Sequence, residues 1–235
     1  MTTLKERLNA VVGRIAQACI EAGREPSSVT LLAVSKLHPA QAVREAAAAG
    51  QRAFGENYVQ EGLDKLTALQ DLRHLLEWHL IGPLQSNKTR AVAEAFDWVH
   101  SVDRLKIAQR LSDQRPHHLP PLNLCLQVNI SGEASKSGLA PDEVAQVAQA
   151  VAALPRLRLR GLMAIPEPAQ GVDAQRAPHR ALRLLQAELI QQGLTLDTLS
   201  MGMSDDLEAA VAEGSTLVRV GTAIFGPRSP APPAA

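Results

Sequence analysis

The run LLAVSK, residues 31–36, is an apolar strand pattern that ends in a primary amine, Lys36. Two later stretches carry residues suited to holding an anion: SMGMSDD at 200–206 and RVGTAIFG at 219–226. Ser200, Gly202 and Ser204 stand just before DLEAAVAEG, a helical run whose N-terminus would turn backbone N–H groups toward a negative charge. Gly221 lets backbone approach a ligand closely, and the Thr222 hydroxyl can donate to it. An inward lysine beside an arginine, in a low dielectric, has its charged form disfavoured, and a neutral amine attacks carbonyl carbon. A lone lysine at a strand end would more readily snorkel to water. The case for chemistry therefore depends on which elements bring these stretches together.

Those elements alternate. Leu4, Leu8, Val11, Val12, Ile15, Ala18 and Cys19 recur at helical spacing, so the chain opens on a helix ending near Gly23. After it come eight short apolar runs, at 31–36, 53–56, 77–82, 98–102, 122–130, 159–165, 196–202 and 217–222, separated by helical stretches rich in Ala, Leu, Glu and Arg. Several runs do not alternate, as expected of strands covered on both faces. Eight such repeats in 235 residues predict a single (β/α)8 TIM barrel, with the first helix added to plug or flank it. An open doubly wound sheet is the alternative, but no GxGxxG follows the first strand. The barrel is expected to span residues 1–228, and the Pro/Ala-rich tail 229–235 is expected to be disordered.

Composition narrows the function class. Lys and Arg number 24 against 24 Asp and Glu, scattered along the chain, which gives no electrostatic case for nucleic acid or an anionic membrane. No run approaches the roughly 20 apolar residues of a membrane span, and the charged, amphipathic N-terminus does not read as a signal peptide. Cys19 and Cys125 read as buried free thiols, and no Cys/His cluster suggests zinc. A cytoplasmic location is the expectation.

In such a barrel the site lies at the C-terminal strand ends, and phosphate is commonly held after strands 7 and 8. Polar residues gather at those ends: Ser35 and Lys36, Glu56 and Asn57, His79, His100 and Ser101, Gln127 and Asn129, then the two late loops. Closure puts strand 8 beside strand 1, so Arg219 and Lys36 share one mouth. An amine and a phosphate cradle in one mouth suit pyridoxal 5′-phosphate held as a Schiff base, or the phosphosugar of a Schiff-base aldolase. The remaining histidines, His74, His117, His118 and His179, read as exposed or loop residues, and Asp205–Asp206 as a helix start.

The motifs AVSKLHP, FGENYVQE, WHLIGPLQSNK, SVDR, VNISGEASKSG, GLMAIP, LSMGMSDDLEAAVAEGST and VRVGTAIFG, in this order, resemble the pyridoxal phosphate homeostasis protein family, relatives of the alanine racemase barrel. The resemblance covers the first helix to about Arg228 and implies a fold-type III barrel with pyridoxal 5′-phosphate on Lys36. It implies that Ser204, Gly221, Thr222 and the Met203 backbone hold the phosphate, that Arg219 faces the pyridine nitrogen, and that Asn57, His79 and Met163 line the pocket. Alanine racemases pair that arginine with a tyrosine from a separate C-terminal domain. This chain has one tyrosine, Tyr58, in the second βα loop. The resemblance therefore implies a cofactor-holding monomer with little or no turnover, serving vitamin B6 and amino-acid balance, with pyridoxal-phosphate-dependent apo-enzymes as recipients. A racemase using Lys36 as its one base is the alternative.

Overall fold

Strands β1 (Thr30–Val34), β2 (Ala53–Glu56), β3 (Glu77–Leu80), β4 (Trp98–Val102), β5 (Leu122–Gln127), β6 (Leu157–Met163), β7 (Thr198–Ser200) and β8 (Leu217–Val220) pair in parallel in chain order. β8 returns to β1, with Leu32 opposite Arg219, and closes the barrel. The structure, a computed structural model, describes residues 2–132 and 137–227. The tail 229–235 and the middle of SGEASKSG lie outside the described residues, as does Arg228. The expected (β/α)8 barrel is what forms.

Helices α2 (Ala40–Ala48), α3 (Val59–Ala68), α4 (Thr89–Ala95), α5 (Leu105–Gln114), α6 (Val144–Ala152), α7 (Val172–Gln191) and α8 (Leu207–Ala212) follow successive strands from β1 to β7, and the single turn α9 (Thr222–Phe225) follows β8. The main core lies between strands and helices, where Phe54, Trp78, Phe96, Ile107, Leu111, Leu124 and Leu162 are fully buried. Burial of this apolar surface is the chief favourable term in folding.

α1 (Leu4–Glu21) flanks the barrel and does not plug it. Thr3 and Glu6 form a reciprocal capping box that starts the helix. Its buried stripe, Leu8, Val11, Ile15, Ala18 and Cys19, faces α8, α9 and α2. Arg7 Nε donates to the Ile224 carbonyl at 2.7 Å, and Arg14 pairs with Glu208. The helix thus ties the chain's start to the two elements after β7 and β8.

Side chains alternate along strands, and the ladder register decides which point inward. Leu32, Ala53 and Leu217 meet inside the barrel, with Ile81 against them. Trp98, Cys125 and Met163 make a second small cluster there. The same inward rows carry Glu77, His79, His100, Ser200 and Arg219, so the barrel axis is polar. At the β6–β7 ladder a Cβ on Gly161 would sit 1.7 Å from the Thr198 carbonyl oxygen, so only glycine allows that strand approach. No helix among the described residues is long and apolar enough to cross a membrane.

Candidate functional site

Beyond β1 the chain turns sharply, and this turn sets Lys36. Ser35 faces outward and is fully buried, while half-buried Lys36 lies on the inward row of Leu32 and Val34 and lines the mouth. Leu37 is the one non-glycine residue with positive φ among those described, at 62°, a backbone shape unfavourable for a residue with a Cβ. Surrounding charges hold it there. Leu37 N–H donates to Glu61 Oε1 at 2.6 Å. Lys65 Nζ spends its three N–H donors on the Ser35 carbonyl (2.6 Å), Glu56 Oε1 (2.7 Å) and Glu61 Oε1 (2.7 Å). Ser35 Oγ also donates to Glu56 Oε1, at 2.5 Å. Burial pushes the Glu56 carboxyl above its ordinary range, against the pull of Lys65 and Ser35. Sequence reasoning placed Ser35 and Glu56 near the mouth and missed Lys65; the Glu61–Lys65 spacing of four on α3 was the available signal.

The mouth is a cavity of about 470 Å³ lined by Val34, Lys36, His38, Asn57, Ile81, Ile165, Met203, Ser204, Asp205, Arg219, Gly221 and Thr222. That volume suits a small organic ligand. Seven of the nine sequence-derived residues meet here: Lys36, Asn57, Met203, Ser204, Arg219, Gly221 and Thr222. His79 and Met163 do not; both are buried in the barrel interior below the mouth, where strand alternation sends them to the axis. A second cavity, of about 270 Å³, shares Asn57, Ile81 and Ile165 with the first and reaches Gln127 and Asn129.

Arg219 is 4 % exposed and held by fixed acceptors. Its Nη1 donates to the Ser200 carbonyl (2.6 Å) and Oγ (2.7 Å), and its Nη2 to the Ala164 carbonyl (2.8 Å). The Nε–H is left uncommitted among the described residues. Burial lowers the guanidinium to about 10, still charged at neutral pH. Asn57 Oδ1 is a buried acceptor with no partner among the described residues, and such an atom carries a cost that a ligand donor can relieve. The hydroxyls of Ser204 and Thr222, at the same mouth, make no side-chain hydrogen bond among the described residues. A Cβ on Gly221 would come within 3.0 Å of the Val34 carbonyl oxygen, so a side chain there would crowd the β8 turn against β1.

Two expectations about the late loop change. The Met203 N–H donates to Asp206 Oδ1 at 2.6 Å, so this amide is engaged by the protein itself. His179 is 1 % exposed on α7 and pairs with Asp206 Oδ2 at 2.9 Å, where the sequence suggested a solvent-facing ring. Asp206 thus folds back under the loop, leaving Asp205 at the mouth. Burial raises the Asp206 carboxyl, but His179, the Met203 amide and Arg219 outweigh it and hold it below the usual carboxylate range. A depressed pKa contributes stability that is present above the unfolded value of about 3.9 and lost as pH falls through the folded value. Asp206→Asn is expected to cost about 1–3 kcal/mol at neutral pH and to flatten the acid limb of the stability curve, read by urea melts across pH 2 to 7.

An amine on the first strand, an arginine on the last and donors between them, all at one end of a closed barrel, place the chain among the ligand-binding alanine-racemase-type barrels. The family model described as alanine racemase, N-terminal domain, matches residues 14–229. The chain belongs to that family, and within it to the pyridoxal phosphate homeostasis proteins. It is 63 % identical over 234 residues to the pyridoxal phosphate homeostasis protein of Pseudomonas aeruginosa, covering 100 % of both chains. It is 57 % identical to that of Escherichia coli, over 97 % of this chain and 98 % of the relative. Among solved structures, PipY of Synechococcus elongatus, described as having PLP bound, matches with a TM-score of 0.83 at 43 % identity, covering 95 % of this chain and 100 % of PipY. The alanine racemase of Corynebacterium glutamicum shares the fold, with a TM-score of 0.68 at 19 % identity over 97 % of this chain and 63 % of the racemase.

Proposed function

We propose that the chain binds pyridoxal 5′-phosphate at the barrel mouth and serves vitamin B6 homeostasis and amino-acid balance, holding the cofactor and not turning over a substrate. The observation that carries this reading is the convergence of Lys36, Arg219, Ser204, Gly221 and Thr222 on one cavity. Its relatives' names and the PLP-bound PipY support the same ligand. When bound, the cofactor supplies an aldehyde carbon that condenses with a primary amine, loses one water and gives a near-visible chromophore. Lys36 supplies the amine. The Ser204 and Thr222 hydroxyls, with Gly221 backbone, bind the phosphate, and Asn57 Oδ1 takes a ligand donor.

Arg219, without a second acid beside it, supports the non-catalytic reading. A charged guanidinium donates and never accepts, so a ring nitrogen facing it would keep its lone pair and stay unprotonated, and the ring would withdraw electrons weakly. Tyr58, the sole tyrosine, is 56 % exposed and lies outside the lining of the mouth, which supports the absence of a racemase-type second acid. The proposal extends to a cytoplasmic monomer that passes its cofactor to pyridoxal-phosphate-dependent apo-enzymes. The exposed apolar rim of Leu37, Tyr58, Ile165 and Met203 supports such a hand-over.

Titrating the apo-protein with pyridoxal phosphate should produce the near-visible band, whereas pyridoxal, lacking the phosphate, should bind far more weakly. Each hydrogen bond to a charged group contributes about 1.5–3 kcal/mol. Ser204→Ala together with Thr222→Ala should therefore raise the Kd at least 100-fold, to within a few-fold of the pyridoxal value. Equal affinity for the two compounds would remove the phosphate assignment. Deuterium exchange at the α-carbon of alanine at a dedicated racemase's rate would overturn the non-catalytic half.

A further inference from the structure

A line of polar side chains runs down the barrel axis from the mouth to the opposite face. Arg219 Nη1 and Ser200 Oγ are 2.7 Å apart, Ser200 Oγ and His100 Nδ1 2.8 Å, His100 Nε2 and His79 Nδ1 2.9 Å, and His79 Nε2 and Glu77 Oε2 3.1 Å. The first four residues are buried, and Glu77 reaches the far end with its side chain 47 % exposed. There it lines a bottom-face cavity of about 490 Å³ with Arg73, His74, Asp97, Arg115 and Arg158. Trp98 Nε1 donates to its other oxygen at 2.8 Å, and Arg160 lies over that indole, 4.7 Å from the ring centroid.

Chemistry sets the direction of this line. Arginine only donates, so Ser200 Oγ accepts from it and sends its own proton to His100 Nδ1. His100 then carries its proton on Nε2 and donates to His79 Nδ1. His79 in turn carries its proton on Nε2 and donates to the Glu77 carboxylate. Every bond points from the mouth to the carboxylate, and each ring has one permitted neutral tautomer. Burial, with the Arg219 charge adding to it, holds the His100 ring well below its ordinary value, hence neutral. Burial raises the Glu77 carboxyl, but His79, Trp98 and Arg160 outweigh it and keep it anionic.

We propose that Ser200, His100, His79 and Glu77 form a one-way positioning relay that fixes the Arg219 guanidinium against the ligand ring and couples the ring's proton affinity to the charge of Glu77 on the far face. This rests on the reading of the mouth as a pyridoxal phosphate site. The polarised line biases Arg219 toward Ser200, and so sets which of its N–H groups face the cavity. Hydrogen-bonded chains in a low dielectric polarise one another, so removing the terminal charge is felt at the other end. These are positioning residues, since among them only Arg219 lines the mouth.

The relay is testable without cofactor. In the ¹⁵N spectrum of the apo-protein at neutral pH, His79 and His100 should each show an unprotonated Nδ1 and a protonated Nε2. The opposite tautomer, or a doubly protonated His100, overturns the proposal. In the pyridoxal-phosphate-loaded protein, Glu77→Gln should move the spectral pH midpoint of the Lys36-linked chromophore toward acid, because a distant anion that stabilised its cationic form is gone. Through a low-dielectric interior the change in proton affinity is roughly 3- to 10-fold. Glu77→Asp should restore the midpoint, whereas a merely structural role predicts an unchanged one. His100→Asn breaks the line in its middle, so adding Glu77→Gln to it should produce only the smaller, through-space part of the shift. If both variants load and keep the parent midpoint, the relay fails while the site stands. A protein that never takes up the cofactor refutes the site and leaves the tautomer result to decide the relay.

Discussion

Lys36→Ala is expected to abolish the near-visible band that pyridoxal phosphate gives with the parent protein and to leave the fold intact. Lys36 is the only lysine lining the mouth among the described residues, and it sits on the inward row at the end of β1. The strand below it is held by Leu32, by Ala33 in the outer core and by the ladder to β8. Truncating a half-buried side chain beyond the strand's end removes little packing, so the stability change should stay below about 1 kcal/mol. The proposed phosphate contacts at Ser204, Gly221 and Thr222 would survive, so the variant should still bind the ligand, reversibly and without colour. Absorbance, with intact mass after borohydride reduction, distinguishes the two modes. A reduced adduct on the parent and none on the variant is expected; an adduct of equal yield on Lys36→Ala would remove the lysine from its role.

Lys65→Met should destabilise the protein by about 3–5 kcal/mol at neutral pH, the cost typical of leaving a buried charge without its partner. Glu56 is fully buried, its Oε2 already lacks a partner among the described residues, and Lys65 supplies the positive charge beside its Oε1. Without Lys65 the carboxyl, already raised by burial, rises further. A carboxyl whose folded pKa is raised penalises folding above that value and ceases to do so below the unfolded value, so the variant should gain ground on the parent as the solution is acidified. Urea melts at pH 7 and pH 4 read both effects. Adding Glu56→Gln should recover much of the loss, since a neutral amide tolerates burial better than an unpaired charge. A loss under about 1 kcal/mol at pH 7 would show that the cluster carries no such weight. Because Lys65 also holds the Ser35 carbonyl and Glu61 the Leu37 amide, the single variant should additionally loosen the Lys36 turn and weaken cofactor uptake.

What was legible in the sequence followed from local rules. Apolar runs of strand length between helical stretches placed all eight strands to within a few residues. Closure set Lys36 and Arg219 at one mouth, and the structure puts the lysine on the inward row that the sequence left open. His79, Met163 and His179 were misjudged for one shared reason. Each lies where a residue's identity says nothing about depth: His79 and Met163 belong to strands whose inward row runs the barrel's whole height, and His179 to a helix whose buried face carries one polar residue matched to a carboxylate on the next loop.

The sequence by itself therefore determined the barrel, and the lysine and the two late loops that meet at one end of it, because periodicity and turn chemistry act over a few residues. Only the tertiary structure decided that the axis is a directed line from Arg219 to Glu77, that Lys65 braces the turn behind Lys36, and that Asp206 turns away to His179. Apart from the His79–Glu77 contact within β3, those arrangements join residues 19 to 100 positions apart. Buried hydrogen-bonding groups must find partners wherever the closed barrel brings them, and no local pattern records which ones they find.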